Sequence, residues 1–205
     1  ISPAYSASPL PVRVPGAGFV HAGDAAYLVD GFNATINQYS PRVILNWQSF
    51  DVDAGYTVNF NQPSTSSVAL NRIFQNDPSK ILGSINANGQ IYLYNQNGFI
   101  FGKGMRFNAN NIVATTLDVD DALFLNSSIL SAIETGQPAF FDTTGNNTGV
   151  INIENGAEIT ANTIWMIAPE IVNAGVLNSA DGQTILAASK DKVYLAASDK
   201  DPGLR

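Results

Sequence analysis

The residues from Val43 to Asp118 constrain the fold of this chain most. Short apolar strands alternate there with Asn and Gly corners, and no helical stretch interrupts them. Asn and Gly suit such corners because both accept left-handed backbone angles and Asn can bond its own turn. Strands that recur every 8–12 residues indicate an all-β fold. The pattern favours a chain that winds into stacked β-coils over one that builds a catalytic pocket.

An internal repeat in the second half of the chain supports stacked coils. Three similar segments begin at Gly98, Gly149 and Gly175. The glycine spacings are 26 positions for Gly149 to Gly175 and for Gly156 to Gly182, and 52 for Gly104 to Gly156. A repeated strand–turn–strand unit of this length predicts a β-solenoid, in which neighbouring coils share one core.

The step from Gly98 to Gly149 holds more residues than one coil needs, which predicts an excursion near residues 120–148. The pattern favours a β-hairpin lying on the side of the solenoid, and a short helix over residues 122–135 is the alternative.

Side chains within each coil should alternate between the core and the outside. Ile91 and Leu93 are expected to point inward, and Ile164 and Met166 to share one face. Trp165 takes the other face, where the excursion can cover it. Asparagines at corresponding corners are expected to stack into amide ladders along the axis, namely Asn95, Asn97, Asn152 and Asn178.

The whole chain of 205 residues is interpreted as one domain. Residues 1–12 read as a loose arm, residues 13–42 as a cap with strands over 14–36, and residues 43–205 as the β-helix. The tail over residues 199–205 carries no evident cap, which predicts that the chain is a fragment of a longer solenoid.

Composition excludes several functions. The net charge is −7 and Lys and Arg do not cluster, which argues against binding to nucleic acid or an anionic membrane. The chain has no cysteine, so disulfides and thiolate metal sites are excluded. No signal peptide is visible at the start, which means either no export or a mature form.

The titratable residues predict no cofactor and no metal site. His21 is the one histidine and has no evident partner. The acids at Asp51 and Asp53, and at Asp118, Asp120 and Asp121, lack the repeat of calcium-binding rolls and read as solvated turns.

Roughly half of the chain, from about Leu10 to Asp118, resembles the N-terminal secretion domain of two-partner secretion exoproteins. This family includes filamentous haemagglutinins and high-molecular-weight adhesins of Gram-negative bacteria. The matching segments are ILNWQSFDV (44–52), VNFNQP (58–63), SVALNRI (67–73), GSINANGQ (83–90) and ATTLD (114–118).

The hallmark motif of that family is Asn-Pro-Asn-Gly-Ile, and this chain carries Asn95, Gln96, Asn97, Gly98 and Phe99 in its place. The Asn-Gly pair of the tight turn is kept, but Gln96 does not fix φ as proline would. The second family motif, Asn-Pro-Asn-Leu, is absent, so the sequence is closer to the adhesin branch.

The resemblance implies a right-handed parallel β-helix with N-terminal cap strands and an extra-helical β excursion. It also implies a secretion domain that a dedicated outer-membrane β-barrel transporter recognises through its periplasmic receptor domains. The exoprotein would travel through the periplasm to the cell surface of a Gram-negative bacterium, where folding of this domain as a monomer would nucleate the β-helix.

Residues 95–99 are the predicted partner-binding segment, and a purely structural corner is the alternative. Further family-motif positions are Asn46, Trp47, Phe50, Asn61, Gln62, Pro63, Asn71 and Arg72. Of these, Trp47, Phe50 and Asn46 are interpreted as core or corner residues and not as partner contacts. Arg72 is interpreted as a residue that fixes the structure through bonds to carbonyl or carboxylate groups.

Two other functions compete with secretion. Outward Tyr92, Tyr94 and Tyr194 would suit a module that binds glycans or a host protein. A polysaccharide-cleaving β-helix enzyme is less favoured, because glycoside hydrolysis usually needs two positioned carboxylates. The available acids are Glu134, Glu154, Glu158, Glu170 and Asp181, and no cleft of acids is apparent among them, so the chain is predicted not to be an enzyme.

Overall fold

The computed structural model describes residues 8–126, 129 and 132–196. Within them the chain winds as a parallel β-helix, and the predicted fold class is confirmed. Residues 1–7 of the predicted arm over 1–12, and the tail over residues 199–205, lie outside the described residues.

Three sheets form the walls of the solenoid, and a short two-stranded pair lies beside them. Sheet A contains β1 (Val12–Arg13), β2 (Val20–Ala22), β5 (Arg42–Ser49), β7 (Val68–Ile73), β10 (Gln90–Tyr94), β13 (Asn111–Thr115), β17 (Thr163–Ala168) and β20 (Thr184–Ala188). Sheet B contains β3 (Ala25–Asp30), β4 (Asn33–Gln38), β6 (Thr57–Asn61), β9 (Ser84–Ala87), β12 (Arg106–Asn108), β16 (Glu158–Thr160) and β19 (Val176–Asn178). Sheet C contains β8 (Ser79–Ile81), β11 (Gly98–Phe101), β15 (Val150–Ile153) and β18 (Glu170–Asn173), while β14 (Phe140–Phe141) pairs with β21 (Lys192–Val193).

Sheets A and B differ in what covers their outer faces. Sheet B strands alternate, with Val58 and Phe60 of β6 buried and Asn61 exposed. Sheet A strands are apolar almost throughout, as expected of parallel strands that are buried on both faces. Ile91 and Leu93 point into the solenoid core as predicted. The outer face of sheet A is therefore a second apolar core.

The excursion supplies the cover for that outer face. Ile164 and Met166 belong to the solenoid core, whereas Trp165 belongs to the outer cluster and packs edge-on against Phe140 of β14 at 6.3 Å between ring centroids. Both predictions for this strand are confirmed. Tyr92 and Tyr94 are buried in the same outer cluster, so these two side chains are not free to stack on a glycan.

The predicted β-hairpin of the excursion is wrong, although its position is right. The chain forms α1 (Asp121–Asn126) and α2 (Ala132–Thr135) before it reaches β14. Asp120 caps α1, since its side chain accepts from the Leu123 N–H at 2.8 Å and its carbonyl from the Phe124 N–H at 2.9 Å. No helix among the described residues is long and apolar enough to cross a membrane.

The register corrects the repeat length. Arg106 pairs with Glu158, 52 positions later, which agrees with the spacing of Gly104 and Gly156. That step is one coil plus the excursion, as the sequence predicts. In the next coil Val150 pairs with Glu170, 20 positions later, so the alignment of Gly149 with Gly175 at 26 is wrong.

Antiparallel strands close the N-terminal end of the solenoid. β1 and β2 pair antiparallel with β5, and β3 pairs antiparallel with β4. However, β4 already pairs in parallel with β6, so the parallel ladder begins inside the range 13–42 that was assigned to the cap. The arm is also not loose throughout, because Leu10 is buried in the core and the Pro9 carbonyl accepts from the Asp53 N–H at 2.9 Å.

Amide ladders form on sheet B and not at the predicted corners. The Asn86 Nδ2 donates to Asn59 Oδ1 and the Asn108 Nδ2 to Asn86 Oδ1, each at 3.3 Å. The predicted members do not stack in this way: Asn95 lies in a turn, and the position of sheet C that pairs with Asn152 is Ile100. An amide ladder requires asparagines at positions that pair between neighbouring strands. Alignment of the segments by their glycines did not identify these positions.

Tyr92 makes the packing of the excursion sensitive to alkaline pH. Its ring lies 5.9 Å from that of Phe124 in α1, and burial raises the pKa of Tyr92 from 10.0 to about 12, with Arg42 opposing. The neutral Tyr92 side chain is favoured in the folded domain, so its contribution to the unfolding free energy is complete below pH 10. That contribution is lost as pH rises towards 12, because the hydroxyl ionises more readily in the unfolded chain. We expect wild type to lose about 2 kcal/mol more unfolding free energy than Tyr92→Phe between pH 9 and 12. Urea unfolding at both pH values measures this, and equal losses would contradict it.

Candidate functional site

The motif turn, residues 95–99, joins sheet A to sheet C. β10 ends at Tyr94 and β11 begins at Gly98. The Gly98 N–H donates to the Asn95 carbonyl, and the Asn97 N–H donates to Asn95 Oδ1, both at 2.9 Å. These two bonds close the turn without the proline that the family motif carries at the position of Gln96.

Gly98 is required by both its backbone conformation and its surroundings. Its φ is +97°, a region that side-chain-bearing residues rarely adopt. A Cβ at this position would lie 2.0 Å from the carbonyl oxygen of Val150 in β15. The glycine therefore lets two coils approach closely at this corner.

The two asparagines of the turn hold the preceding coil. Asn95 is buried and its Nδ2 donates to Ser79 Oγ at 3.0 Å and to the Asp77 carbonyl at 3.2 Å. The Asn97 Nδ2 donates to the Gln75 carbonyl at 2.8 Å. Gln75 is itself buried and accepts from the Phe50 N–H at 2.7 Å, so the turn is tied to two earlier strand ends.

Only part of the motif turn reaches the surface. Asn95, Gly98 and Phe99 are buried, and the Phe99 ring stacks on Phe101 at 5.7 Å. Gln96 is exposed and Asn97 is half-buried. A partner can therefore contact Gln96 and the edge of Asn97 directly, while the other three residues support the turn from within.

An exposed aromatic residue lies beside the motif turn. Phe74 follows β7 and its side chain is 57% exposed. A cleft of about 270 Å³ separates it from the turn, and Phe74, Asn76, Gln96, Asn97 and Thr143 are among the residues that line it. We name this surface the motif corner. The sequence interpretation missed Phe74 and Gln75, although a polar run directly after an apolar strand was the available signal.

Trp47, Phe50 and Asn71 belong to the core of the solenoid. The Trp47 ring lies edge-on to Phe19, Tyr27 and Phe50, with centroids 4.9–5.2 Å apart. Its Nε1 donates to the buried Asn71 Oδ1 at 2.9 Å. This cluster joins the cap strands to the first coils, and a partner cannot reach it in the folded domain.

Arg72 fixes the excursion to sheet A. Its Nε and Nη2 both donate to Asp118 Oδ1, at 3.0 and 2.9 Å. The same Nη2 also donates to the Val119 carbonyl at 2.6 Å, and Nη1 forms an ion pair with the Asp121 carboxylate. Burial raises the pKa of Asp118 and Arg72 opposes this; burial lowers the pKa of Arg72, but the two carboxylates outweigh it.

Two predictions for this charged cluster are wrong. Asp118 and Asp121 bind Arg72 and are not merely solvated turn residues. His21 has a partner, because its Nε2 lies 3.0 Å from Asp121 Oδ2. The pairing was not foreseen because β2 and α1 are 100 positions apart in sequence.

The remaining family positions lie away from the motif corner. The buried Gln62 bonds to Gln38 and Ser67, and Asn61 donates to Asn37 at 2.9 Å. Pro63 is exposed after β6. Asn46 donates to the Gly18 carbonyl at 3.0 Å and so holds the cap. None of these contacts brings the four side chains to the motif turn.

The acidic residues in the described part of the chain are the candidate ligands for a metal ion. No group of three His, Cys, Asp or Glu residues there is placed to hold a metal ion. Glu158 pairs with Arg106 at 2.6 Å, and Glu154 accepts from the Lys103 N–H at 3.1 Å.

Comparison with known proteins identifies relatives among bacterial exoproteins. The family model of the TPS (two-partner) secretion domain matches residues 19–203. A heme/hemopexin-binding protein of Haemophilus influenzae is 37% identical over 107 residues, which cover 52% of this chain and 12% of that protein. A second Haemophilus influenzae protein of the same name is 40% identical over 86 residues, or 42% of this chain and 9% of that protein. The matched region is thus a small part of these relatives.

Two solved structures share the fold. The HMW1 secretion domain from Haemophilus influenzae aligns with a TM-score of 0.70 at 27% identity and covers 86% of this chain and 45% of that one. The filamentous hemagglutinin secretion domain aligns with a TM-score of 0.56 at 13% identity, over 96% of this chain and 67% of that one. At 13% identity the likeness concerns the fold alone.

Proposed function

The chain belongs to the family of TPS secretion domains, and from this premise we propose that the motif corner is the surface its dedicated transporter recognises. Domains of this family serve exoproteins that such a transporter exports through the outer membrane to the cell surface. The observation that carries the proposal is an exposed aromatic residue, Phe74, beside the rigid turn that presents Gln96.

The motif corner has the composition of a recognition site. Binding energy at protein interfaces concentrates in a few aromatic or Arg residues, which polar groups surround. Phe74 supplies the aromatic anchor, and Asn76, Gln96 and Thr143 supply a polar rim. Because Asn95 and Asn97 already fix the turn, little conformational entropy would be lost on binding.

The partner is proposed to be a β-barrel transporter whose periplasmic receptor domains bind this corner. The domain is proposed to act as a monomer within a longer exoprotein that contacts host cells. No catalytic role is proposed, because Glu154 and Glu158 are each engaged in separate structural contacts. Binding of glycans through Tyr92 or Tyr94 is not proposed, since the excursion covers both side chains.

Folding of this domain at the cell surface is proposed to favour outward transport. Each coil that joins the solenoid buries apolar area worth about 25 cal/mol per Å². The antiparallel cap strands and the Trp47 cluster give the first coils a fixed template. Later coils can then add in sequence order, as expected of a repeat architecture.

Secretion tests the motif corner directly. The domain would be fused to a signal peptide and expressed in a Gram-negative host with and without its transporter. We expect Phe74→Ser combined with Gln96→Ala to lower the transporter-dependent secreted fraction several-fold, because the anchor and its rim are lost. The unfolding midpoint of the purified variant should match that of wild type, since both side chains are exposed.

Tyr39→Ser provides the matched control, because Tyr39 is also an exposed aromatic residue but does not line the corner. It should be secreted like wild type. Normal secretion of the Phe74 and Gln96 variant would reject the motif corner as the recognition surface, while family membership would stand.

A further inference from the structure

A trough of uncharged amides crosses the outer face of sheet B. One wall is formed by outward side chains in direct register, Asn59, Asn86 and Asn108, and the same row continues beyond the trough through Thr35, Thr160 and Asn178. Asn61 at the end of β6 and Asn88 directly after β9 form the other wall. The trough has a volume of about 350 Å³ and runs along the solenoid axis.

The amides of the trough are held in place by one another. Asn86 donates one N–H to Asn59 and accepts one bond from Asn108. A primary amide has two N–H donors and two acceptor lone pairs, so Asn86 keeps one of each for a ligand. On the opposite wall Asn88 exchanges two bonds of 2.8 Å with the backbone of Gln62. The free donors and acceptors are therefore fixed in direction before any ligand arrives.

The spacing and charge of the trough define the chemistry it fits. Neighbouring strands lie about 4.8 Å apart, so free donor–acceptor pairs recur at that interval along the axis. Neither wall carries a charged residue, and the ion pair of the adjacent row, Arg106 with Glu158, is internally neutralised at 2.6 Å. A ligand for this surface must offer many groups that both donate and accept, at regular spacing and without charge.

We propose that this trough binds a linear neutral polysaccharide. Each sugar hydroxyl is both a donor and an acceptor, which complements the one free N–H and one free lone pair of an amide such as Asn86. An extended chain lying along the axis would meet Asn59, Asn86 and Asn108 in succession. The trough lies on sheet B, whereas the motif corner joins sheets A and C, so glycan binding and transporter recognition are separable functions.

Titration calorimetry of the domain with cellohexaose, maltohexaose and chitohexaose tests the proposal. We expect at least one of these neutral hexasaccharides to bind with a millimolar or lower dissociation constant. Asn59→Ala combined with Asn86→Ala should weaken that binding about tenfold, because it removes two amides from the wall. Asn152→Ala on sheet C makes the same chemical change outside the trough and should bind like wild type.

Circular dichroism and a thermal melt of each variant confirm that its fold is retained. Chemical shifts of the trough amides in an NMR titration give a second measurement that does not depend on the substitutions. Failure of all three hexasaccharides to bind would overturn the proposal. Binding that the Asn59 and Asn86 variant leaves unchanged, or shifts confined to another sheet, would also overturn it.

Discussion

Replacing Gly98 by alanine is expected to destabilise the domain by about 4 kcal/mol or more. The substitution adds a Cβ that would lie 2.0 Å from the Val150 carbonyl oxygen, so β11 and β15 cannot keep their spacing. It also places a side chain at φ +97°, a backbone conformation that is strained for any residue with a Cβ, whatever its neighbours. Urea unfolding of the purified domain measures the loss.

Gly104→Ala separates the close approach from the backbone strain. Gly104 has φ +85°, but a Cβ there would meet no atom within 4 Å. We expect this variant to lose only about 1–2 kcal/mol, the ordinary cost of a left-handed residue. Equal losses at Gly98 and Gly104 would show that the contact with β15 does not limit this corner.

The Gly98 variant also distinguishes a folding motif from a recognition motif. Gly98 is buried, so its replacement removes no exposed group and can impair secretion only through the fold. Gln96 is exposed and carries no structural bond among those of the turn. We expect Gly98→Ala to lose secretion and to show a lowered unfolding midpoint. If the Phe74 and Gln96 variant loses secretion with an unchanged midpoint, the same corner serves both folding and recognition.

The β-helix and its two-faced strands could be predicted from the sequence because both depend on local patterns. Alternating residues such as those of β6 imply one exposed face, and a run such as TIWMIA in β17 implies cover on both faces. The position of the excursion followed from the number of residues between Gly98 and Gly149. These inferences needed only the period of the pattern and the length of the chain.

The contacts between coils depend on strand register, which the spacing of residues in the sequence did not supply. The Asn ladder of sheet B requires Asn59 to pair with Asn86 and Asn86 with Asn108, across steps of different length. The step between coils after the excursion is 18–20 positions and not the 26 that separate the glycines, so the alignment of Gly175 was wrong. The hairpin prediction failed because it did not weigh Asp120 as a helix cap.

Arg72→Met is expected to lower the unfolding free energy by about 3 kcal/mol and to loosen the excursion. The methionine keeps the bulk of the side chain but leaves the mostly buried carboxylate of Asp118 without its cation. Removing one partner of a buried pair costs more than the pair contributes, because an uncompensated charge remains. Urea unfolding gives the global loss, and hydrogen exchange of the α1 amides reports the local release.

Arg106→Met is the matched control for charge and chain length. Its pair with Glu158 is about half exposed on both sides, and exposed pairs contribute roughly 0–1 kcal/mol. Adding Asp118→Asn to Arg72→Met should recover part of the loss, since the orphaned charge is removed. If Arg72→Met and Arg106→Met cost the same, Arg72 does not fix the excursion, and packing of Phe124 and Phe140 on sheet A would have to hold it instead.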